Sequence, residues 1–176
     1  LVASGAKLDA APSKFYGTTY HQAMRGGHPD MVRWCLSKGM DIPPLTKKPS
    51  TQQLVKWAGA SGDYYEIHYD KDFALSKALP GVVVHGRLKA AFLTQLLTDW
   101  IGEGGFLKAF SCQYRGMDFP AEEIISKGTV TRKYIADNER CVDCEIRTES
   151  PKGERTTPGK ATVVLPSKGE TMEAQD

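Results

Sequence analysis

Apolar and polar residues recur along this chain with two different periods, and the change falls at Gly104-Gly105. Before it the spacing is helical. Met31, Val32, Cys35 and Leu36 sit three and four residues apart, and Gly39 then reads as a helix stop. Ser50-Thr51-Gln52-Gln53 ahead of Leu54, Trp57 and Ala58 is a capping-box pattern. It predicts a short amphipathic helix that ends near Gly59-Ala60-Ser61-Gly62. Phe73 to Ala78 predicts a further helical turn, stopped by Pro80-Gly81. The clearest helix runs from Gly86 to Trp100. Leu88, Ala91, Phe92, Leu96 and Trp100 form its apolar stripe, and Leu93 and Leu97 widen the stripe nearly all round, the mark of a buried helix. Asp41-Ile42-Pro43-Pro44-Leu45 cannot be helical throughout and reads as an entry segment or a domain junction.

After Gly104-Gly105 the period is two. Phe106 to Arg115, Glu122 to Ala136, Cys141 to Thr148 and Ala161 to Leu165 read as strands. Asp118-Phe119-Pro120, Asp137-Asn138-Glu139 and Ser150-Pro151-Lys152-Gly153 read as the turns between them. Antiparallel strands following one long buried helix indicate an α+β fold. Trp57, Phe92, Leu96 and Trp100 are the expected core, and the polar tail after Ser167 is expected to be loose.

Composition narrows the functional classes. The chain has 176 residues and a net charge of +2, too weak a balance to argue for nucleic acid or a membrane surface. No apolar run reaches transmembrane length. Four scattered cysteines make no disulfide framework and fit a reduced, cytoplasmic protein. Cys141 and Cys144 form a lone CxxC on a predicted strand, where residues three apart point to opposite faces, so a metal or redox role is not expected.

The candidate chemistry lies between the helices. Asp63 and His68 occupy one predicted loop. A carboxylate and an imidazole that hold the same water can take a proton from it and return one to carbon, which is the work of a hydratase. By spacing alone, a turn-capping Asp and a surface His is the commoner meaning. His85-Gly86 opens the buried helix. Glycine lets a ligand approach the backbone, and a helix N-terminus offers free N–H groups and positive potential to an oxygen that becomes negative. Close packing at a helix start is the plainer account of Gly86.

Trp57 through Asp63, then Ile67-His68-Tyr69-Asp70, then Pro80 through Gly86, resembles the MaoC-like and (R)-specific enoyl-CoA hydratase family. The family pattern is an Asp-x-Asn-Pro-x-His loop followed by His-Gly at the start of the central helix, and Gly159 to Pro166 resembles the family's last strand. The resemblance implies a hot-dog fold, an antiparallel sheet wrapped around one long helix. It implies addition of water to a 2-enoyl thioester, or removal of water from a 3-hydroxyacyl thioester, with Asp63 and His68 as catalytic pair and the Gly86 N–H binding the thioester oxygen. Coenzyme A or acyl carrier protein enters only as part of the substrate, and no metal or other cofactor is implied. A dimer is implied, of identical chains or with a second hot-dog chain. The sequence departs from the pattern at Tyr65-Glu66, which stand where the family has Asn-Pro. Tyr65, His85 and Arg87 are further candidates for substrate contact, although a solvent-facing Arg87 is the simpler expectation.

The N-terminus has a separate resemblance. Thr18 to Ala23, Gly27-His28, the paired apolar residues and Gly39 resemble one ankyrin repeat, with His21 and His28 in structural roles. The expected organisation is therefore a helical, ankyrin-like extension over 1–38, a hot-dog domain over 39–168 and a loose tail over 169–176. A hot-dog thioesterase and a non-catalytic partner subunit are the alternatives to a hydratase, since fold alone does not decide function.

Overall fold

The computed structural model describes residues 41–102 and 104–165. The ankyrin-like segment and the polar tail lie outside the described residues. The elements in chain order are β1 (Asp41–Lys47), α1 (Thr51–Ser61), a 3-10 turn (Glu66–His68), α2 (Lys71–Ser76), α3 (Gly86–Ile101), β2 (Phe106–Cys112), β3 (Ile124–Ala136), β4 (Glu139–Glu149) and β5 (Arg155–Leu165). The five strands form one antiparallel sheet in the order β1-β3-β4-β5-β2. Helix α3 packs against every strand of that sheet. This is the hot-dog arrangement, and its class is α+β.

The helices form where their capping chemistry begins and ends them. The Ser50 hydroxyl accepts a hydrogen bond from the Gln53 N–H at 3.2 Å and so starts α1. Gly62, at φ 74°, ends it by donating its N–H to the Ala58 carbonyl. Asp70 caps α2 in the same way through Phe73 N–H at 2.9 Å. Helix α3 buries Leu88, Phe92, Leu93, Leu96, Leu97, Trp100 and Ile101, which is why its sequence is apolar nearly all round. Leu54 of α1, Val84, Leu88, Phe92 and Ile124 of β3 pack into one cluster, with Trp57 and Val82 against it. This cluster fixes the mouth of α3 against α1, and the loop carrying Asp63 and His68 spans the gap between them.

Two stretches differ from the sequence expectation. Asp41 to Leu45 is a strand rather than a junction. Its prolines fall where the β1–β3 register shifts, between Ile42 and Leu45, on an edge strand where missing N–H groups cost little. Strand β5 begins at Arg155, six residues earlier than Ala161 (161 − 155 = 6), and Pro158-Gly159 lies within its ladder. Gly159 passes so close to the Ser111 carbonyl of β2 that no side chain fits there. No helix among the described residues is long and apolar enough to cross a membrane.

Leu93 is fully buried between α3 and the sheet. Leu93→Ala is expected to destabilise the domain by about 2–5 kcal/mol through lost burial and the cavity left behind. The check is the urea unfolding midpoint; a shift equivalent to less than about 1 kcal/mol would show that α3 is not the core.

Candidate active site

Asp63 emerges from the left-handed turn at Gly62, and its backbone N–H donates to the Ser61 hydroxyl at 3.3 Å. Ser61 in turn donates to the Trp57 carbonyl at 2.7 Å, so the last turn of α1 aims the residue that follows it. The next residues fold into the 3-10 turn. Its bonds run from His68 N–H to Tyr65 O at 3.1 Å and from Asp70 N–H to Glu66 O at 2.8 Å. The Tyr69 hydroxyl closes the loop on the Tyr64 carbonyl at 3.1 Å. The Tyr65 ring sits edge-on to His68 and to Phe73, with centroids 6.3 and 6.0 Å away. The loop is thus held by backbone turns and aromatic edges.

His68 is buried, and its Nδ1 lies 2.8 Å from the Val83 carbonyl. A carbonyl only accepts, so Nδ1 carries the hydrogen, and in the neutral form of the ring the lone pair then sits on Nε2. The Val83 N–H returns a bond to the Ile67 carbonyl at 3.0 Å, which locks the 82–84 segment beside the loop. His85 stacks on His68 with centroids 3.8 Å apart and planes 21° apart. Its Nε2–H donates to the Asp63 backbone carbonyl at 3.2 Å, and its Nδ1 is buried without a partner. Burial holds the His85 pKa below the ordinary histidine value, His68 lowers it further, and the bond to Asp63 opposes this. His85 is therefore a neutral spacer.

One polar atom from each of Asp63, His68 and His85 lies within 4.8 Å of the other two. Two hydrogen bonds of roughly 2.8 Å meeting at a tetrahedral water span roughly 4.5 Å, so a single water fits between a carboxylate and an imidazole at this range. A metal shared by both imidazoles fits poorly. Lone pairs lie in the ring planes, and planes stacked this closely do not converge on a common point.

The structure brings Asp63, His68, His85 and Gly86 together and leaves the other candidates at the rim. His85 has no exposed surface. Arg87 is exposed and Tyr65 half-exposed. Gly86 is the first residue of α3, so its N–H has no partner within the helix. A Cβ on it would stand 2.8 Å from the Tyr114 ring, so the close approach that requires glycine here is made by Tyr114. Cys141 and Cys144 both lie buried and unbridged on β4, and burial pushes the Cys144 thiol up to about 12. Two open grooves, of about 390 and 470 Å³, lie on β2 to β5 and include none of the candidate residues.

Sequence reasoning missed Tyr114, the Val83 carbonyl and a buried ion pair between Lys89 and Asp118. Lys89 lies on the same face as Phe92, Leu93 and Leu96, at helical spacing. A lysine inside the apolar stripe was the signal that a buried acid had to meet it.

The model of the MaoC-like domain matches residues 38–150. The chain belongs to the MaoC-like domain family. This MaoC-like chain is 25% identical over 123 residues to the (R)-specific enoyl-CoA hydratase of Aeromonas caviae, covering 69% of the chain and 90% of the hydratase. A solved (R)-hydratase from A. caviae involved in PHA biosynthesis superposes with a TM-score of 0.66 at 25% identity, over 73% of this chain and 96% of that one. The chain is also 26% identical over 103 residues, 57% of its length, to fatty acid synthase subunit beta of Saccharomyces cerevisiae, and the match spans only 5% of that much longer protein. The ChsH1-ChsH2 complex from Mycobacterium tuberculosis shares the fold, with a TM-score of 0.63 at 17% identity over 72% of this chain and 96% of that one.

Because the folded state keeps His85 below the ordinary value of 6.5, the unfolded chain binds its proton first as pH falls. Stability from this group is complete above 6.5 and is lost as pH drops from there through the folded value. Urea unfolding between pH 7.5 and about 5 is expected to show a steeper loss in wild type than in His85→Gln. Equal slopes would mean that His85 is not held neutral.

Proposed function

We propose that this MaoC-like chain catalyses reversible addition of water to a 2-enoyl thioester, giving a 3-hydroxyacyl thioester, with Asp63 and His68 as its catalytic pair. The observation that carries the reading is the fixed tautomer of His68. Its Nδ1–H is committed to Val83, so Nε2 presents a lone pair on the same loop as the Asp63 carboxylate.

The reaction then runs with ordinary bookkeeping of bonds. A water between the two groups gives one hydrogen bond to Asp63 and one to His68 Nε2. Its oxygen attacks C3 while one of these bases takes a proton. The π electrons of the C2=C3 bond move towards C1, and the thioester oxygen becomes an enolate. The N–H at Gly86, with the positive end of α3 behind it, stabilises that charge. C2 then takes the proton from the group that received it. Water is consumed whole and no oxidant or reductant enters, so the acyl group and its coenzyme A or carrier-protein handle are the only reactants besides water. The site needs no metal in this scheme.

The A. caviae relative, named as an (R)-specific enoyl-CoA hydratase, supports this substrate class. A neighbour whose solved form is a complex of two named chains supports an assembly with a second hot-dog chain, identical or different.

Hydration of a short trans-2-enoyl-CoA, followed as loss of the conjugated thioester absorbance, is the direct test. Asp63→Asn and His68→Gln are each expected to lower kcat by about 10²- to 10⁴-fold, the usual weight of a positioned acid or base, with unchanged circular dichroism. Near-normal turnover in either folded variant sinks the pair. Release of free thiol by wild type, without hydration, would assign thioester hydrolysis instead.

A further inference from the structure

Lys89 and Asp118 are each only 2% exposed, and they pair at 2.8 Å beneath the mouth of α3. Lys89 Nζ also donates to the Gly116 carbonyl at 2.8 Å. The Asp118 main chain continues the connection, since its carbonyl accepts the Val84 N–H at 2.9 Å. Val84 follows Val83, whose carbonyl holds His68 Nδ1–H, and precedes His85, which stacks on His68. The charged pair therefore clamps the 116–118 segment to α3, and that segment clamps the strip of backbone on which the His68 ring hangs.

Removing two charges from water costs several kcal/mol per ion, and apolar replacements of similar volume are often as stable or more so. Stability alone gives a weak reason for the pair here, because the second carboxylate oxygen of Asp118, Oδ1, is buried with no hydrogen-bond partner. A clamp that must set direction has a use for charge that a packed core does not, since an ion pair has one register and leucine side chains have several.

We propose that Lys89 and Asp118 are positioning residues for catalysis. Acting through Val84 and Val83, they fix the tautomer and orientation of His68. Neither touches substrate. The proposal rests on the hydratase reading only for its kinetic arm, since the state of the His68 ring is measurable without any substrate.

The experiment compares wild type, Lys89→Met, Asp118→Leu and the double variant in the full chain. Three quantities are measured: the urea unfolding midpoint, kcat and KM on a short trans-2-enoyl-CoA, and the imidazole nitrogen-15 shifts of His68, assigned by their loss in His68→Gln. Each single variant strands a buried charge and is expected to lose stability. The double variant is expected to regain a midpoint near wild type. Its kcat is nevertheless expected to stay about 100-fold low, the effect of misplacing a reacting group by roughly 1 Å, with KM little changed. The His68 shifts should move from a single Nδ1–H tautomer towards a mixture of both. If the double variant does not fold, Asp118→Asn keeps the shape and carries the same prediction with a smaller loss.

A folded double variant with wild-type kcat and an unmoved His68 tautomer overturns the proposal. So does a drop in kcat that follows the unfolding midpoint across all variants while the shifts stay put. A wild type that does not hydrate enoyl-CoA, with His68 shifts that still move in the double variant, overturns the hydratase reading and leaves the clamp standing.

Discussion

The bond from His68 Nδ1–H to the Val83 carbonyl is the constraint on which the site depends. An imidazole has two nitrogens, and a proton on the wrong one turns a base into a donor. The bond settles that choice with a backbone carbonyl, which cannot rotate away as a side chain could. It reaches fifteen residues along the chain. The loop that carries Asp63 and His68 is thereby tied to the segment that leads into α3. Helix α3 and the sheet are the frame that makes the contact repeatable.

The interior around this bond is unusually polar. The buried groups there include His68, His85, Lys89 and Asp118, and two of their atoms, His85 Nδ1 and Asp118 Oδ1, have no partner. Buried polar atoms without partners each cost on the order of 1–3 kcal/mol. They run from the Asp63–His68 loop to the segment after β2, while the far end of α3 is closed by Leu96, Leu97, Trp100 and Ile101. Three further buried polar atoms, Trp57 Nε1, Ser126 Oγ and Thr157 Oγ1, also lack a partner, on α1, β3 and β5.

Much of this was legible in the sequence. The all-round apolar character of Gly86 to Trp100 announced a helix inside a sheet, and the period-two runs announced the sheet. The Asp63–His68 loop and the His85-Gly86 pair came together as the motif order implied. What stayed hidden depended on pairing across long distances. The Val83 carbonyl has no signature, because any residue has one. Lys89 was visible as a charge in an apolar stripe, but its partner lies 29 residues on, in a stretch that reads as a turn. Pro43-Pro44 looks like an interruption, and only the sheet order shows that an edge strand tolerates it there. The role of Gly86 was half legible: the need for glycine was apparent, and the Tyr114 ring that enforces it was not.

The two prolines of β1 also affect how the sheet can meet another chain. A sheet of five strands has two outer edges, and here they belong to β1 and β2. An incoming strand needs a row of N–H donors to zip against, and Pro43 and Pro44 supply none. Among the described residues, the other edge, β2, carries no proline. Sideways growth of the sheet is thus directional, and a chain that exposes strands while folding has one fewer way to aggregate.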